Sequence, residues 1–466
     1  MRPLQIISLL LLLVVASCAE APEKTSTANL WITTLDQNSL LELRNLEVTS
    51  AKDSLEHAIS IDTSQTYQEI DGFGYTLTGG SALHINKMRD SARTALLQEL
   101  FGTGENEIGV SYLRLSVGAS DLDEAPFSYN DLSEGETDVN LEKFSLANDT
   151  VHLIPVLKEI LEIAPNIKIM GSPWSPPAWM KDNKDTRGGS LLKEYYPVYA
   201  EYLVKYVEAM AAHGITIDAI TVQNEPLHPG NNPSLLMLAE DQAEFIKNHL
   251  GPAFEKNNID TKIIIYDHNA DRPDYPISIL DDPEAAQYID GSAFHLYGGE
   301  IGALSEVHEA HPNKNLYFTE QWVGAPGNFS QEMSWHTENL IIGATRNWSR
   351  TVLEWNLAAD ENQQPHTDRG GCDRCLGAIS ITGDEVTREP AYYIIAQASK
   401  FVRPGSVRVE SNMPEHLPNV AFLTPQGKAV LIVQNKAEKE ETVTVKLNNK
   451  QTSFQLPAGA VGTLVL

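Results

Sequence analysis

Two glutamates each stand where a short apolar run ends. Ile220-Thr221-Val222-Gln223 leads into Asn224-Glu225-Pro226, and Leu316-Tyr317-Phe318-Thr319 leads into Glu320-Gln321-Trp322. Placing an ionisable group at such a point is costly unless the group is used. A pair of carboxylates in opposite protonation states suits cleavage of a glycosidic bond. One gives a proton to the leaving oxygen while the other attacks the sugar, or activates water, from the opposite face. Asn224, beside Glu225, is placed to hold the sugar 2-hydroxyl, a contact that strengthens in the transition state. Glu225 therefore reads as the acid/base, its pKa raised by burial and by a negative Glu320, and Glu320 as the nucleophile. Carboxyls about 5 Å apart would give retention and about 8 Å inversion. Two surface glutamates that merely follow strands are the competing reading.

The neighbouring residues weigh against that reading. Trp174, Trp179, Trp322 and Trp355 all follow or end apolar runs, and aromatics clustered at one mouth suit the apolar faces of sugar rings. Trp174 and Trp179 share a proline-stiffened segment, Trp174-Ser175-Pro176-Pro177-Ala178-Trp179. Arg114, inside an apolar run, is expected to orient Glu320 by charge and hydrogen bonding. In Phe294-His295-Leu296-Tyr297, Tyr297 is expected to donate to the nucleophile and His295 to bond a neighbouring carboxylate or substrate. Asp121 is a candidate for gripping sugar hydroxyls. Metal chemistry is not indicated: there is no His-Glu-x-x-His, and His268 and His295 lie singly on different runs with no third ligand evident. No Gly-x-Ser-x-Gly marks a serine nucleophile, and no cofactor is implied. A non-catalytic carbohydrate-binding protein would keep the tryptophans without needing both glutamates.

These residues require a scaffold that brings strand ends together. Apolar, β-branched runs at 71–75, 110–116, 167–171, 218–223, 262–267, 292–295, 316–319 and 352–355 alternate with helical stretches. Over 195–212, Tyr199, Tyr202, Leu203, Tyr206, Val207 and Met210 recur at helical spacing. A second helix is read over 234–250, with Leu238, Phe245 and Ile246 facing inward. Eight such units across 69–400 predict an α/β fold, a (β/α)8 TIM barrel with its chemistry at the C-terminal strand ends. A doubly wound sheet competes, but no Gly-x-Gly-x-x-Gly opens a helix after the first strand. Short alternating runs at 29–46 and 57–67 precede the barrel. Strand-like segments follow it at 407–409, 420–423, 429–434, 441–447 and 452–456. They predict one side β-sandwich domain built from both ends of the chain, 29–68 and 401–466.

With 34 basic and 63 acidic residues, a net charge of -29, the chain would repel a nucleic-acid backbone but not a neutral glycan. Arg2 precedes an apolar run at 6–15, too short to span a bilayer, that ends in Val15-Ala16-Ser17-Cys18. This resembles a bacterial lipoprotein signal, with 1–17 removed, Cys18 acylated and 18–28 a polar tether. Ala19 resembles the pattern sorted onward to an outer membrane. The expectation is an exported, monomeric protein that meets the membrane only through its lipid anchor. Cys372 and Cys375 could close a small disulfide that pins one loop.

Taken together, these stretches resemble glycoside hydrolase family 30, the group containing lysosomal glucosylceramidase and microbial β-1,6-glucanases. The resemblance rests on Asp71-Gly72-Phe73-Gly74, the segment 171–180, Thr221 to Pro226, Phe294 to Tyr297 and Phe318-Thr319-Glu320. It continues through Glu354-Trp355-Asn356-Leu357, Glu389-Pro390-Ala391-Tyr392-Tyr393 and Phe401-Val402-Arg403-Pro404-Gly405, in order over roughly residues 30–466. It implies a retaining mechanism, with Glu225 as acid/base and Glu320 as nucleophile. Asn224, Arg114, Asp121, Trp174, His295, Tyr297 and Trp355 fall at family pocket positions. Leu122 follows Asp121 where the lysosomal member has Phe, and Gly370-Gly371-Cys372-Asp373-Arg374-Cys375 looks like bacterial members. Both departures argue against a ceramide-linked substrate. The nearest resemblance is to β-1,6-glucanases acting on pustulan or fungal cell-wall glucan. An exo-acting β-glucosidase or glucosylceramidase, and a β-xylosidase or β-fucosidase, are the alternatives within the family.

Overall fold

The computed structural model describes residues 26–51 and 58–466. The expected signal segment and Cys18 lie outside the described residues. The first strand, Ser26–Thr33, already begins within the stretch read as a tether.

Eight parallel strands close into a barrel in chain order. They are Gly72–Leu77, Tyr112–Val117, Lys168–Pro173, Ala219–Thr221, Lys262–Ala270, Ile289–Gly299, Asn315–Glu320 and Ser349–Glu354, referred to below as barrel strands one to eight. Strand eight closes the ring on strand one, with Val352 opposite Phe73. Every predicted run falls on one strand. Their near-continuous apolar character follows from burial on both faces, lumen and helix layer.

Helix Tyr196–Ala212 buries Tyr199, Tyr202, Leu203, Tyr206 and Met210 as its period predicts, while Val207 is only partly buried. Gly171 on strand three lets it approach, since a Cβ there would meet the Tyr206 ring at 3.1 Å. The second predicted helix starts later and runs further than expected: Ala239–Phe245 continues as a π-helical turn, Ile246–Leu250, and then as Gly251–Lys256. Phe245 and Ile246 are buried. Leu238 is not; it is 41% exposed, because it stands in extended conformation before the first turn, where helical periodicity does not yet apply.

The termini form one nine-stranded ring beside the barrel. The strands at both ends of the chain intermingle: Ile59–Glu69 lies between Glu441–Leu447 and Val407–Ser411. A final strand, Val461–Val465, not among the expected segments, pairs with both Ser26–Thr33 and Ala429–Gln434 and so closes the ring. Gln397, on helix Pro390–Ser399, fastens barrel to sandwich by donating to Thr33 Oγ1 at 2.8 Å and accepting from Thr463 Oγ1 at 2.6 Å. Among the described residues no helix is long and apolar enough to cross a membrane.

Candidate active site

Alternation along the barrel strands builds the floor of the site. An apolar layer, including Met170, Ala219, Ile264, Ala293, Tyr317 and Leu353, forms one buried cluster. Two residues further along the same strands, a period-2 step, come Ser172, Thr221, His295, Thr319 and Trp355. Strand five breaks the step. Tyr266 and Asp267 both take positive φ, 71° and 63°, and the pairing with strand six shifts register between Tyr266 and His268. This bulge directs Asp267, three residues beyond Ile264, toward the lumen.

Asp267 then gathers the floor. Its Oδ2 accepts from Arg114 Nη2 at 2.8 Å and Thr221 Oγ1 at 2.7 Å. Its Oδ1 accepts from Thr319 Oγ1 at 2.6 Å and lies 3.2 Å from His295 Nε2. Burial opposes ionisation, but Arg114 and His295 outweigh it and hold Asp267 well below the usual carboxylate range. Arg114, fully buried, also donates from Nε to Ser172 Oγ at 2.9 Å, from Nη1 to Glu320 Oε2 at 2.5 Å and from Nη2 to Asn224 Oδ1 at 2.6 Å. Its guanidinium lies 4.8 Å from the centre of the Trp174 ring. Arg114 thus reaches Glu320, the contact expected of it from the sequence. Asp267, Ser172, Thr221 and Thr319 were not anticipated.

Above this floor the two glutamates face one cleft of about 380 Å³. Tyr297 Oη donates to Glu320 Oε1 at 3.0 Å, as expected. Glu225 follows strand four with φ of 46°, and its N–H donates to Asp267 O at 2.9 Å. His295 Nδ1 lies 3.3 Å from Glu225 Oε1 and 3.8 Å from Glu320 Oε1. Those two oxygens are therefore at most about 7 Å apart, which excludes most of the roughly 6.5–9.5 Å range of inverting pairs. His295 is completely buried and meets the carboxylates from beneath rather than lining the cleft.

The structure corrects the expected protonation of Glu225. Burial does oppose its ionisation, but the two neighbouring imidazoles, His268 and His295, outweigh burial and hold it below the usual range. His295 moves the other way: burial would lower it, yet Glu320, Asp267 and Glu225 push it up to about 9. These environments favour the carboxylate form of Glu225 beside an imidazole that holds its proton more tightly than a free histidine does. His268 was also read as isolated, with no third ligand near His295. Instead Glu225 stands against both, with His268 Nδ1 3.7 Å from Glu225 Oε1.

Of the four tryptophans, Trp174, Trp322 and Trp355 line the cleft, the rings of Trp174 and Trp355 being 5.5 Å apart. Trp179 does not. Its indole N–H donates to Asn130 O at 3.0 Å and its ring packs edge-on against Tyr195, so the proline-rich segment turns it away from the mouth. Cys372 and Cys375 form a disulfide that packs with Trp174, Trp355 and Leu122 and forms part of the cleft wall. Cys372 N–H donates to Asp121 Oδ2 at 3.2 Å. Asp121 lines the cleft beside it, pushed up to about 7 by burial and by the charges of Glu320 and Glu225. Asn224 keeps its Oδ1 on Arg114, and among the described residues no hydrogen bond engages its Nδ2. His228, Asn231 and Asn269 also line the cleft and were not anticipated.

A closed (β/α)8 barrel presenting paired carboxylates after strands four and seven, over an arginine and beside a wall of tryptophans, has the fold and site of a glycoside hydrolase. The chain belongs to glycosyl hydrolase family 30: the family's TIM-barrel domain matches residues 70–402 and its β-sandwich domain residues 405–464. It is 35% identical over 398 residues to an endo-1,6-β-D-glucanase of Neurospora crassa, covering 81% of each chain. It is 29% identical to the lysosomal acid glucosylceramidase of Mus musculus, covering 83% of this chain and 79% of that one. The solved structure of the endo-β1,6-glucanase BT3312 superposes with a TM-score of 0.88 at 32% identity, covering 94% of this chain and 98% of the other.

Proposed function

We propose that this chain is a retaining endo-β-1,6-glucanase in which Glu225 is the acid/base and Glu320 the nucleophile. The observation that carries the chemistry is the placement of both carboxylates on one imidazole nitrogen, His295 Nδ1, at the edge of a single cleft. Glu320, held by Arg114 and Tyr297, attacks the anomeric carbon. A proton passes from His295 Nδ1 to Glu225 and on to the glycosidic oxygen as the C–O bond breaks. Asn224 Nδ2 donates to the 2-hydroxyl, and Asp121 and the three cleft tryptophans hold the sugar. In the second half Glu225 removes a proton from water, which attacks the same carbon and frees Glu320, so configuration is retained.

The glucan reading is supported by the greater identity to endo-1,6-β-D-glucanases than to glucosylceramidases, 35% against 29% in the two relatives above. Leu122, where the lysosomal enzyme has a phenylalanine, packs behind Trp174 and Trp355. The protein works as an exported monomer tethered to an outer membrane by acylated Cys18, a reading that rests on the lipoprotein-like segment ending Ala16-Ser17-Cys18. Incubation with pustulan, laminarin, xylan, glucosylceramide and aryl β-glucosides, following product sizes over time, tests the substrate. A ladder of β-1,6 oligosaccharides from pustulan is expected. Glucose as the sole product would replace endo with exo action, and activity confined to xylan would overturn the glucan reading.

A further inference from the structure

Glu225 stands between two histidines, of which hydrolysis as proposed uses only His295. Its Oε1 is 3.3 Å from His295 Nδ1 and 3.7 Å from His268 Nδ1, and all three ligand atoms lie within 4.8 Å of one another. A tetrahedral zinc centre with bonds near 2.0–2.1 Å sets its ligand atoms about 3.3 Å apart. The cluster exceeds the spacing a bound ion would impose by at most about 1.5 Å, a gap that side-chain rotation would have to close.

Two independent features point to a cation. His268 is 7% exposed, and its Nδ1 is buried without a hydrogen-bond partner while aimed at Glu225. A buried imidazole nitrogen left without a partner is costly unless something occupies it. His295 supplies the second feature. Its Nε2 lies 3.2 Å from Asp267 Oδ1, so a carboxylate behind the ring can take the Nε2 proton and turn the Nδ1 lone pair toward Glu225. That carboxylate–histidine arrangement is how metal-binding imidazoles are oriented. Glu225 and His268 also line the open cleft, which gives an ion a path in and leaves room for water as a fourth ligand. Glu320 on the same cleft adds negative charge that favours a cation, and Arg114, which lies below, is already paired with Asp267 and Glu320.

The geometry points to a site for a borderline divalent transition cation, of the class of Zn2+, held by Glu225, His268 and His295 and backed by Asp267. An ion bound to Glu225 Oε1 occupies the oxygen that would carry the proton to the glycosidic bond, so metal binding and proton donation exclude one another. Occupancy therefore switches hydrolysis off reversibly. That inhibition rests on the assignment of Glu225 as acid/base; the binding does not.

The test measures binding without activity. The full chain is titrated with Zn2+ by calorimetry and with Co2+ by its ligand-field absorption, for wild type, His268→Gln, Glu225→Gln and the surface control His416→Gln. Circular dichroism confirms folding of each variant. The expected result is one ion per chain with a four-coordinate Co2+ spectrum. His268→Gln and Glu225→Gln should each weaken binding by at least the ~10–100-fold that losing a mere supporting partner costs. His416→Gln, whose side chain is 58% exposed on the sandwich side, should bind as wild type. Absence of saturable binding in wild type, or unchanged affinity in both cluster variants, would overturn the site. Zn2+ is then added to a hydrolysis assay and removed with EDTA. Reversible loss of activity supports the switch, whereas binding without inhibition supports the site and overturns the assignment of Glu225.

Discussion

Arg114 holds Glu320 Oε2 at 2.5 Å through one guanidinium nitrogen and Asp267 Oδ2 at 2.8 Å through the other. Both partners and the arginine are buried, so the guanidinium fork sets the position of this Glu320 oxygen, the proposed nucleophile. A lysine carries the charge without the fork. Arg114→Lys is expected to lower kcat about 100–1000-fold, a loss of preorganised electrostatics. It should also destabilise the fold by roughly 3–5 kcal/mol through buried carboxylates left poorly paired. Turnover of an aryl β-glucoside and urea denaturation measure the two; kcat within threefold of wild type would refute the role.

The proton passed from His295 to Glu225 should be visible in kinetics. Because His295 is pushed up to about 9, the free site keeps its proton until pH approaches that value, and kcat/KM should fall only there. In His295→Gln the proton must reside on the carboxyl alone. The basic limb of the kcat/KM profile should then move acid-ward by more than about one unit. An unmoved limb would show that the imidazole does not hold the proton.

The disulfide closes a four-residue loop against the sugar-binding wall, with Cys372 N–H on Asp121. Chain-entropy arguments give so short a loop about 2 kcal/mol of stabilisation. The Cys372→Ser, Cys375→Ser double variant should therefore lose stability on that order. It should also raise KM more than it lowers kcat, because the hydrogen bond it loosens is made to a group that grips substrate. Michaelis parameters on a β-1,6 oligosaccharide separate this from a purely structural effect, which would leave KM unchanged at temperatures where the variant is folded.

Stability should peak on the acid side of neutrality. Asp121, Asp123 and Asp149 are each pushed up to about 7, chiefly by burial. His336, where Glu354 and Glu332 reverse the effect of burial, reaches about 9, as does His295. All five bind protons more tightly folded than unfolded, so stability falls as pH rises: through about 4–7 for the carboxyls and about 6.5–9 for the histidines. Asp267 and Glu225 have the opposite sign, and their contribution is lost as pH falls below about 4. The melting temperature should be highest between about pH 4 and 6 and decline toward pH 9. A steady rise from pH 5 to 9 would contradict these environments.

The sequence showed most where burial imposes a pattern. All eight barrel strands were legible because strands covered on both faces are apolar throughout, and Glu225 and Glu320 stood out as charges ending such runs. Asp267 stayed hidden for the same reason. Simple alternation from Ile264 points Tyr266 into the lumen, and only a bulge with two positive φ angles turns Asp267 inward instead. Val461–Val465 was missed because its pairing is decided by strands at the far end of the chain. Trp179 shared a motif with Trp174 but not a direction, since the backbone of an irregular proline-rich segment has no fixed period. The approach of His268 and His295 to Glu225 joins three separate strands, and spacing along one chain does not reveal it.

The central claim is that Glu225 handles the proton while Glu320 forms the covalent bond. It is tested most directly by Glu225→Ala assayed on an activated aryl β-glycoside with and without azide. The variant should retain little hydrolysis alone, and azide should restore turnover with β-glycosyl azide as product, because a small nucleophile fills the vacated space and attacks the anomeric carbon from the face the leaving group left, opposite the bond to Glu320, which breaks. Full activity without azide, or an α-configured azide product, would contradict it.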